Sequence, residues 1–332
     1  MRITDILSNA GRKSFSVEVL PPLIGGKIDE LYEFLDPVVR KGIRFVNITY
    51  HAEEIVEYAE YNDFQVPVSR RRRPGTVGIA GAIQARYARE RIEAVPHVIC
   101  ASFTKYDVEE YLVDLAYLGI QNVLALTGDV PKHPNEGKLP FAAHPHANEM
   151  IEQIVSLRKG SYLGAKEGDP VDFCIGAACY LEGHPKCRQR FNSFDQILED
   201  ELRWCKLKVD AGAEYLVTQM FFDNRYYRNF LEKARRLGME VSILPGIRPL
   251  NRPEQIETFP SRFGASVPPE LRDRVKRCRG DREAVEEVGI RWCVEQCEEL
   301  LHYSPGIHLF ATSRKCVATG TYPIEEILER VA

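Results

Sequence analysis

Apolar residues along this 332-residue chain recur in two alternating rhythms. Short apolar runs bounded by turn residues read as buried strands over 14–19, 44–49, 95–100, 122–127, 171–178, 214–219, 240–245 and 306–312. Between them lie stretches with helical periodicity, among them 28–41, 105–118, 143–159, 194–211 and 223–237. Several of these end on a glycine just past the last turn (Gly42, Gly119, Gly160, Gly212 and Gly238), where a left-handed C-cap is expected.

Repeated strand–helix alternation requires parallel strands joined by right-handed crossovers, and eight units without a break in pattern predict an α/β fold of the (β/α)8 TIM barrel type. An open, doubly wound sheet is the alternative. The chain carries no G-x-G-x-x-G after a strand and no G-x-x-x-x-G-K-[ST], so neither a Rossmann dinucleotide site nor a P-loop is written in it. Extra helical pattern over 264–302 predicts an insertion between strands seven and eight, within a single domain spanning 1–332.

Composition narrows the function classes. The chain has 44 Lys plus Arg against 48 Asp plus Glu, a formal charge of -4, which provides no global attraction to nucleic acid. The run Arg70-Arg71-Arg72-Arg73 reads as a solvated loop before a helix. Nine cysteines, several in apolar runs and without paired C-x-x-C spacing, read as reduced thiols with no metal site. With no signal-peptide core and no membrane-spanning apolar run, the expectation is a soluble, cytoplasmic protein.

In a parallel barrel the chemistry gathers where strands end, and prolines at 21, 22 and 131 mark two such ends just beyond the carboxylates Glu18 and Asp129. The other strand ends are polar too: Thr49-Tyr50-His51, His97, Tyr180 with His184 on its loop, Gln219, Gly246, and Thr312 followed by Arg314. Taken together they predict an active site at that mouth. Neither carboxylate has a companion at metal-ligand spacing. A carboxyl in a closed, apolar-walled mouth is expected to have a raised pKa, leaving one acid protonated and the other ionised, a division that suits a substrate that becomes cationic. Lys208 and helix N-termini are the candidates for holding a phosphate.

Eight motifs in order carry a family resemblance: Glu18-Val19-Leu20-Pro21-Pro22, Val46-Asn47-Ile48-Thr49-Tyr50, Pro96-His97-Val98-Ile99-Cys100, Leu126-Thr127-Gly128-Asp129-Val130-Pro131, Tyr180-Leu181-Glu182-Gly183-His184-Pro185, Lys208-Val209-Asp210-Ala211-Gly212-Ala213, Thr218-Gln219-Met220-Phe221-Phe222-Asp223 and Leu244-Pro245-Gly246-Ile247. From about residue 14 to 260 the chain resembles the short, bacterial, FAD-dependent type of 5,10-methylenetetrahydrofolate reductase. The resemblance implies a ping-pong reaction in one cavity: NADH or NADPH reduces FAD and leaves, and 5,10-methylenetetrahydrofolate enters and is reduced to 5-methyltetrahydrofolate, a step in one-carbon metabolism and methionine synthesis. It casts Glu18 as the general acid that protonates folate N10, opening the ring to a 5-iminium cation, and Asp129 as the ionised partner of that cation.

Carried over position by position, Thr49, Tyr50, Ala52, His97, Leu126, Thr127, Gly128, Asp129, Ala147, Tyr180, His184, Glu201 and Lys208 resemble the FAD-binding set. Gln219, Gln255, Phe259 and Arg314 resemble the substrate-binding set. Thr127 stands where the family usually has Arg, and Trp204 and Leu207 replace polar residues on the helix facing the adenosine end of the flavin. The implied partners are small molecules and further copies of the same chain in a homo-oligomer, with no nucleic acid and no membrane. A pterin-binding methyltransferase barrel without flavin is the alternative function, and a non-catalytic interaction barrel is a third.

Overall fold

The computed structural model describes residues 1–331 except 10, 12, 52–53, 62–63, 102, 129–142, 165–166 and 313, together with all side chains of these but those of 54–56, 61, 65–67, 69 and 186. In chain order the elements are α1 (Ile3–Leu7), β1 (Ser14–Val19), α2 (Asp29–Arg40), β2 (Phe45–Ile48), β3 (Glu54–Tyr61), β4 (Phe64–Arg70), α3 (Thr76–Arg86), β5 (Glu93–Ile99), α4 (Lys105–Tyr117), β6 (Asn122–Leu126) and α5 (Ala147–Leu157). They continue with β7 (Cys174–Cys179), α6 (Pro185–Arg188), α7 (Phe194–Ala211), β8 (Tyr215–Met220), α8 (Asn224–Arg236), β9 (Ser242–Ile247), α9 (Gln255–Phe263), α10 (Pro269–Arg277), α11 (Arg282–Leu300), β10 (Gly306–Phe310) and α12 (Pro323–Val331).

Eight parallel strands close on themselves in the order β1-β10-β9-β8-β7-β6-β5-β2, the (β/α)8 barrel expected from the alternation. Every anticipated strand is present, and α10 and α11 fill the insertion anticipated over 264–302, with α9 preceding them between the last two barrel strands. The terminators act as expected: Gly42, Gly119, Gly160, Gly212 and Gly238 all have positive φ. Helix starts are equally local. Thr104 and Asp107 cap α4 reciprocally, the Thr104 hydroxyl accepting from Asp107 N at 3.1 Å and the Asp107 carboxylate from Thr104 N at 2.6 Å.

Two differences bear on the site. First, β3 and β4 form an antiparallel hairpin after β2 that the strand reading left out, so the Arg70–Arg73 run begins as the end of a strand. The segment Glu54-Ile55-Val56-Glu57-Tyr58 does carry β-formers, but its interspersed glutamates and Pro67 resemble a loop, and Pro67 is tolerated because this two-stranded ribbon has free edges. Second, β7 and β9 lie two to three residues later than the periodicity suggested, at Cys174–Cys179 and Ser242–Ile247.

Strand alternation divides the side chains between two cores. Outward residues such as Val17, Val19, Val46, Ile48 and Val98 pack against the surrounding helices. Inward residues fill the barrel from its amino end: Phe45, Val95, Leu124, Cys174, Tyr215, Val217 and Leu244 form one apolar cluster with Ile3, Ile6 and Leu7 of α1. Helix α1 therefore stoppers the barrel floor, tied on by Asn122, whose side chain accepts from Ile3 N at 3.0 Å and donates to Met1 O at 2.9 Å. Filling the floor with hydrocarbon leaves only the carboxyl-end layer for chemistry.

Candidate active site

Above the apolar floor, inward positions on several strands turn polar. On β1, Ser16 and Glu18 follow Ser14, each at even spacing. Neighbouring strands add Asn47 from β2, His97 from β5, Gln219 from β8 and His308 from β10. Arg248, immediately past β9, and Thr312, just past β10, complete the layer.

Glu18 stands at its centre. Its Oε2 is 3.9 Å from His97 Nε2 and 3.8 Å from His308 Nε2, and its side chain is 22% exposed while both imidazoles are buried. Burial alone pushes the Glu18 carboxyl up, but the His308 imidazole and the charges of His97 and Arg248 outweigh it and hold it below its ordinary value. The expectation of a raised carboxyl pKa therefore fails at Glu18, because two imidazoles and a guanidinium stand beside it and offset the cost of burial. His97 moves the other way for a different reason: burial brings it down to about 4 despite the attraction of Glu18, so it is neutral at pH 7.

The layer holds an unusual number of polar atoms without partners. Both side-chain heteroatoms of Asn47, His97 Nε2, His308 Nε2, Arg248 Nε and Thr312 Oγ1 are buried without a hydrogen bond among the described residues. Groups of this kind cost about 1–3 kcal/mol each when left unpaired in a finished core. Their concentration around one carboxylate marks a place built for a polar ligand.

The other sequence-derived residues separate into groups. Thr49 stays at the β2 end, its hydroxyl donating to Val19 O at 3.2 Å, and the ring of Tyr50 packs 5.1 Å from Phe103 with Arg71 5.5 Å above it. At the end of β6, Leu126 and the following Thr127 are tied by their carbonyls to Cys100 and Ala101, and Gly128 has φ of 79° with Ile99 3.0 Å from where a Cβ would sit. Glycine is required there twice over, by conformation and by close approach. Across the mouth, the Tyr180 and His184 rings meet edge to face at 4.8 Å.

Glu201 and Lys208 form the wall behind Tyr180. Glu201 Oε1 accepts from Tyr180 N at 3.2 Å, while Lys208 Nζ donates to Ala178 O at 2.6 Å and lies 4.0 Å from Glu201. Burial pushes the Glu201 carboxyl up; it also pulls Lys208 down, yet Cys205 and Glu201 more than compensate and leave Lys208 raised. Lys208 is a cation already partly neutralised by its own neighbours. Ala147 is the buried first residue of α5.

Among the substrate candidates, Phe259 stacks on Phe222 at 5.9 Å and carries the Arg248 guanidinium 5.5 Å from its ring centre, which links it to the Glu18 layer. Gln219 accepts from Met220 N at 2.9 Å through its side-chain oxygen. Gln255 is turned to a structural task, its oxygen accepting from Asn251 N at 2.7 Å and Arg252 N at 3.1 Å at the start of α9. Arg314 is exposed. Asp129 and Ala52 lie outside the described residues. Of the departures, Trp204 packs against His146 at 4.4 Å, and Leu207 lines a groove outside the barrel between α5 and α7 with Asn148, Glu152 and Asp210.

Four members of the layer, Ser16, Asn47, Arg248 and His308, were not singled out by the sequence reading. Ending the strand at 245 put Gly246 at the mouth, whereas β9 runs to Ile247 and delivers Arg248 there. His308 sits mid-strand in a fully buried run, and counting back by twos from Thr312 would have put it on the same inward face.

Among the described residues, the carboxyl mouth of this closed parallel barrel gathers one carboxylate, two buried imidazoles and a guanidinium, which makes this a TIM-barrel protein with a polar site at the end where such barrels carry theirs. The chain belongs to the methylenetetrahydrofolate reductase family, whose sequence profile matches residues 2–323. A probable NADH-dependent methylenetetrahydrofolate reductase of Oryza sativa subsp. japonica is 27% identical over 314 residues, 93% of this chain and 48% of that protein. A probable NADPH-dependent one of Caenorhabditis elegans is 25% identical over 305 residues, 91% of this chain and 40% of that protein. The 5,10-methylenetetrahydrofolate reductase of Pectobacterium carotovorum subsp. carotovorum is 28% identical over 258 residues, 78% of this chain and 71% of its own length. This chain thus spans about half the length of the plant relatives it matches. Among solved structures, an uncharacterized protein from Clostridium thermocellum, described as binding two copies of 5-methyl-5,6,7,8-tetrahydrofolic acid, superposes with a TM-score of 0.55 over 100% of this chain and 98% of its own, a likeness of fold at 14% identity.

Proposed function

We propose that the chain is an FAD-dependent methylenetetrahydrofolate reductase that takes electrons from NADH or NADPH and converts 5,10-methylenetetrahydrofolate to 5-methyltetrahydrofolate. The observation that carries the reading is Glu18, a carboxylate at the barrel mouth among unpartnered buried donors, in a chain of this family. Relatives named for NADH and for NADPH leave both donors open.

The residues present fit a flavin at the mouth. The orphaned His97 Nε2 and the Tyr50 and Tyr180 rings suit a flat heteroaromatic group with polar edges. Thr49, Tyr50, His97, Leu126 to Gly128, Ala147, Tyr180, His184, Glu201 and Lys208 would hold it, with Asp129 and Ala52 as further candidates outside the described residues. When bound, FAD supplies a two-electron carrier between the nicotinamide and the folate.

The chain's own residues do the rest. Glu18, ionised at rest near neutral pH, takes a proton from solvent before passing it to folate N10, and a carboxyl acidified by its neighbours is a stronger donor once protonated. Gln219, with an amide that can both donate and accept, serves nicotinamide and pterin in turn, and Phe259 offers the stacking face. Arg248 beside Phe259 brings a cation within reach of an anionic ligand.

The test is a visible spectrum of the purified protein with and without added FAD, followed by the two half-reactions in wild type and Glu18→Gln. Expected is about one non-covalent flavin per chain and, in Glu18→Gln, folate reduction slowed by at least ~10²-fold with flavin reduction by NAD(P)H within about tenfold. Protein that remains colourless in excess FAD, yet handles a methylated pterin, would favour the flavin-free methyltransferase reading instead.

A further inference from the structure

Glu18 is held by a histidine that is itself held. The His308 imidazole is fully buried on β10, directly across the ladder from Ser16 on β1, and Ser16 Oγ lies 2.9 Å from His308 Nδ1. At the other end of the ring, Nε2 has no hydrogen-bond partner and faces Glu18 Oε2 at 3.8 Å. The edge of Phe310 packs against the ring at 5.0 Å and restricts its rotation.

That geometry decides which nitrogen carries the proton. A bare Nε2 facing an ionised carboxylate would set two lone pairs against each other in a poorly solvated layer, so Nε2 must be the donor. Ser16 allows this, since its hydroxyl can donate to Nδ1 at 2.9 Å in preference to its other acceptor, Ile307 O, at 3.5 Å. Among the described residues, the other charged or titratable groups facing this pair are His97 from β5 and Arg248 from the end of β9, with His51, beyond β2, acting on His97.

We propose, resting on the reductase reading above, that His308, locked by Ser16, is a positioning residue for Glu18: it presents Nε2–H to the carboxylate and stabilises it as its proton leaves for folate N10. The 3.8 Å separation is longer than a hydrogen bond and closes to one when the carboxylate bears full charge and solvent is displaced by a ligand. No proton is lost from His308 in this step; the N10–H bond forms as the Glu18 O–H bond breaks, and the Nε2–H bond to the carboxylate strengthens.

The test has one arm that needs neither flavin nor folate. 15N NMR of histidine-labelled wild-type protein should show His308 protonated at Nε2 and bare at Nδ1 near neutral pH, and the Glu18 carboxyl, followed by 13C NMR, should titrate higher in His308→Leu than in wild type. His308→Gln, which restores an N–H donor, should bring it part of the way back, and Ser16→Ala should give a mixture of tautomers. In the assembled enzyme His308→Leu should slow folate reduction ~10²-fold, with the folate KM within about threefold and the pH profile displaced upward. An Nδ1–H tautomer in wild type, or a Glu18 titration unmoved in both His308→Leu and Ser16→Ala, overturns the inference. Wild-type protein that fails to reduce methylenetetrahydrofolate while passing the NMR arm overturns the proposed substrate and leaves the Ser16–His308–Glu18 arrangement standing.

Discussion

His97 shows how the site's chemistry reaches stability. Its folded-state pKa is about 4, below the ordinary histidine value of 6.5, so between those pH values the unfolded chain binds a proton that the native state refuses. Stability contributed by the neutral, buried ring is complete above pH 6.5 and is lost as pH falls toward 4, on the order of 3 kcal/mol in total. Urea unfolding of wild type and His97→Gln across pH 4 to 7 should therefore show a wild-type dependence steeper by up to one proton in this window, and parallel curves would mean that His97 is not held neutral. Neighbouring Glu18 contributes with the opposite charge and a lower window: its carboxyl is depressed, so its contribution is present above the ordinary carboxylate value and vanishes as pH drops through the folded one. Glu18 and His97 were legible as polar residues within apolar strand runs; the sign of each shift was not, since at Glu18 it depends on His308 and Arg248 from far along the chain and at His97 on how deeply the ring is buried.

At the scale of elements, α11 illustrates a helix whose composition alone misleads. Gly289 lies in its interior, where replacement by Ala would ordinarily stabilise by roughly 1 kcal/mol through helix propensity. Here a Cβ would lie 1.9 Å from Leu250 O and 2.8 Å from Leu250 C, backbone that leads away from β9. We expect Gly289→Ala to destabilise by at least ~2 kcal/mol in urea unfolding, with the overpacking cost exceeding the propensity gain. A neutral or stabilised variant would show that α11 can move outward freely. The same segment carries Arg248 and Gln255 on either side of Leu250, so the close approach that forbids a methyl group also sets where the mouth's guanidinium stands. Periodicity over 264–302 revealed that helices were inserted here; the intimacy of the contact depends on a partner about forty residues away.

For the molecule as a whole, the barrel is organised around a division of its interior into an apolar floor and a polar mouth. Helix α1 completes the floor with Ile3, Ile6 and Leu7, all buried against inward residues of six strands. Removing residues 1–8 should cost at least ~4 kcal/mol, from three aliphatic side chains at about 1.5–3 kcal/mol each, and should open the floor to a hydrophobic dye at temperatures where the intact chain excludes it. Unchanged urea midpoints would mean that the floor is sealed by the strands alone. Among the described residues no helix is long and apolar enough to cross a membrane, and no His, Cys, Asp and Glu cluster is arranged to hold a metal ion.

What the sequence determined by itself was everything governed by neighbours a few positions apart. The two rhythms of apolar residues, the glycine stops and the strand-end prolines define eight strand–helix units, and the inward parity of Glu18, His97 and Gln219 follows from the two-residue period. The hairpin Glu54–Arg70 and the shifted ends of β7 and β9 were lost where charge or proline masked a strand, or where apolar residues ran on past its start. Only the tertiary structure decided which inward residues stand at one height. Barrel closure pairs β1 with β10 and places Ser16 opposite His308, 292 residues along the chain, while Arg248 arrives from a third strand. Register across a closed sheet is set by the joint fit of all eight strands, and the charge on Glu18 depends on what that register brings beside it.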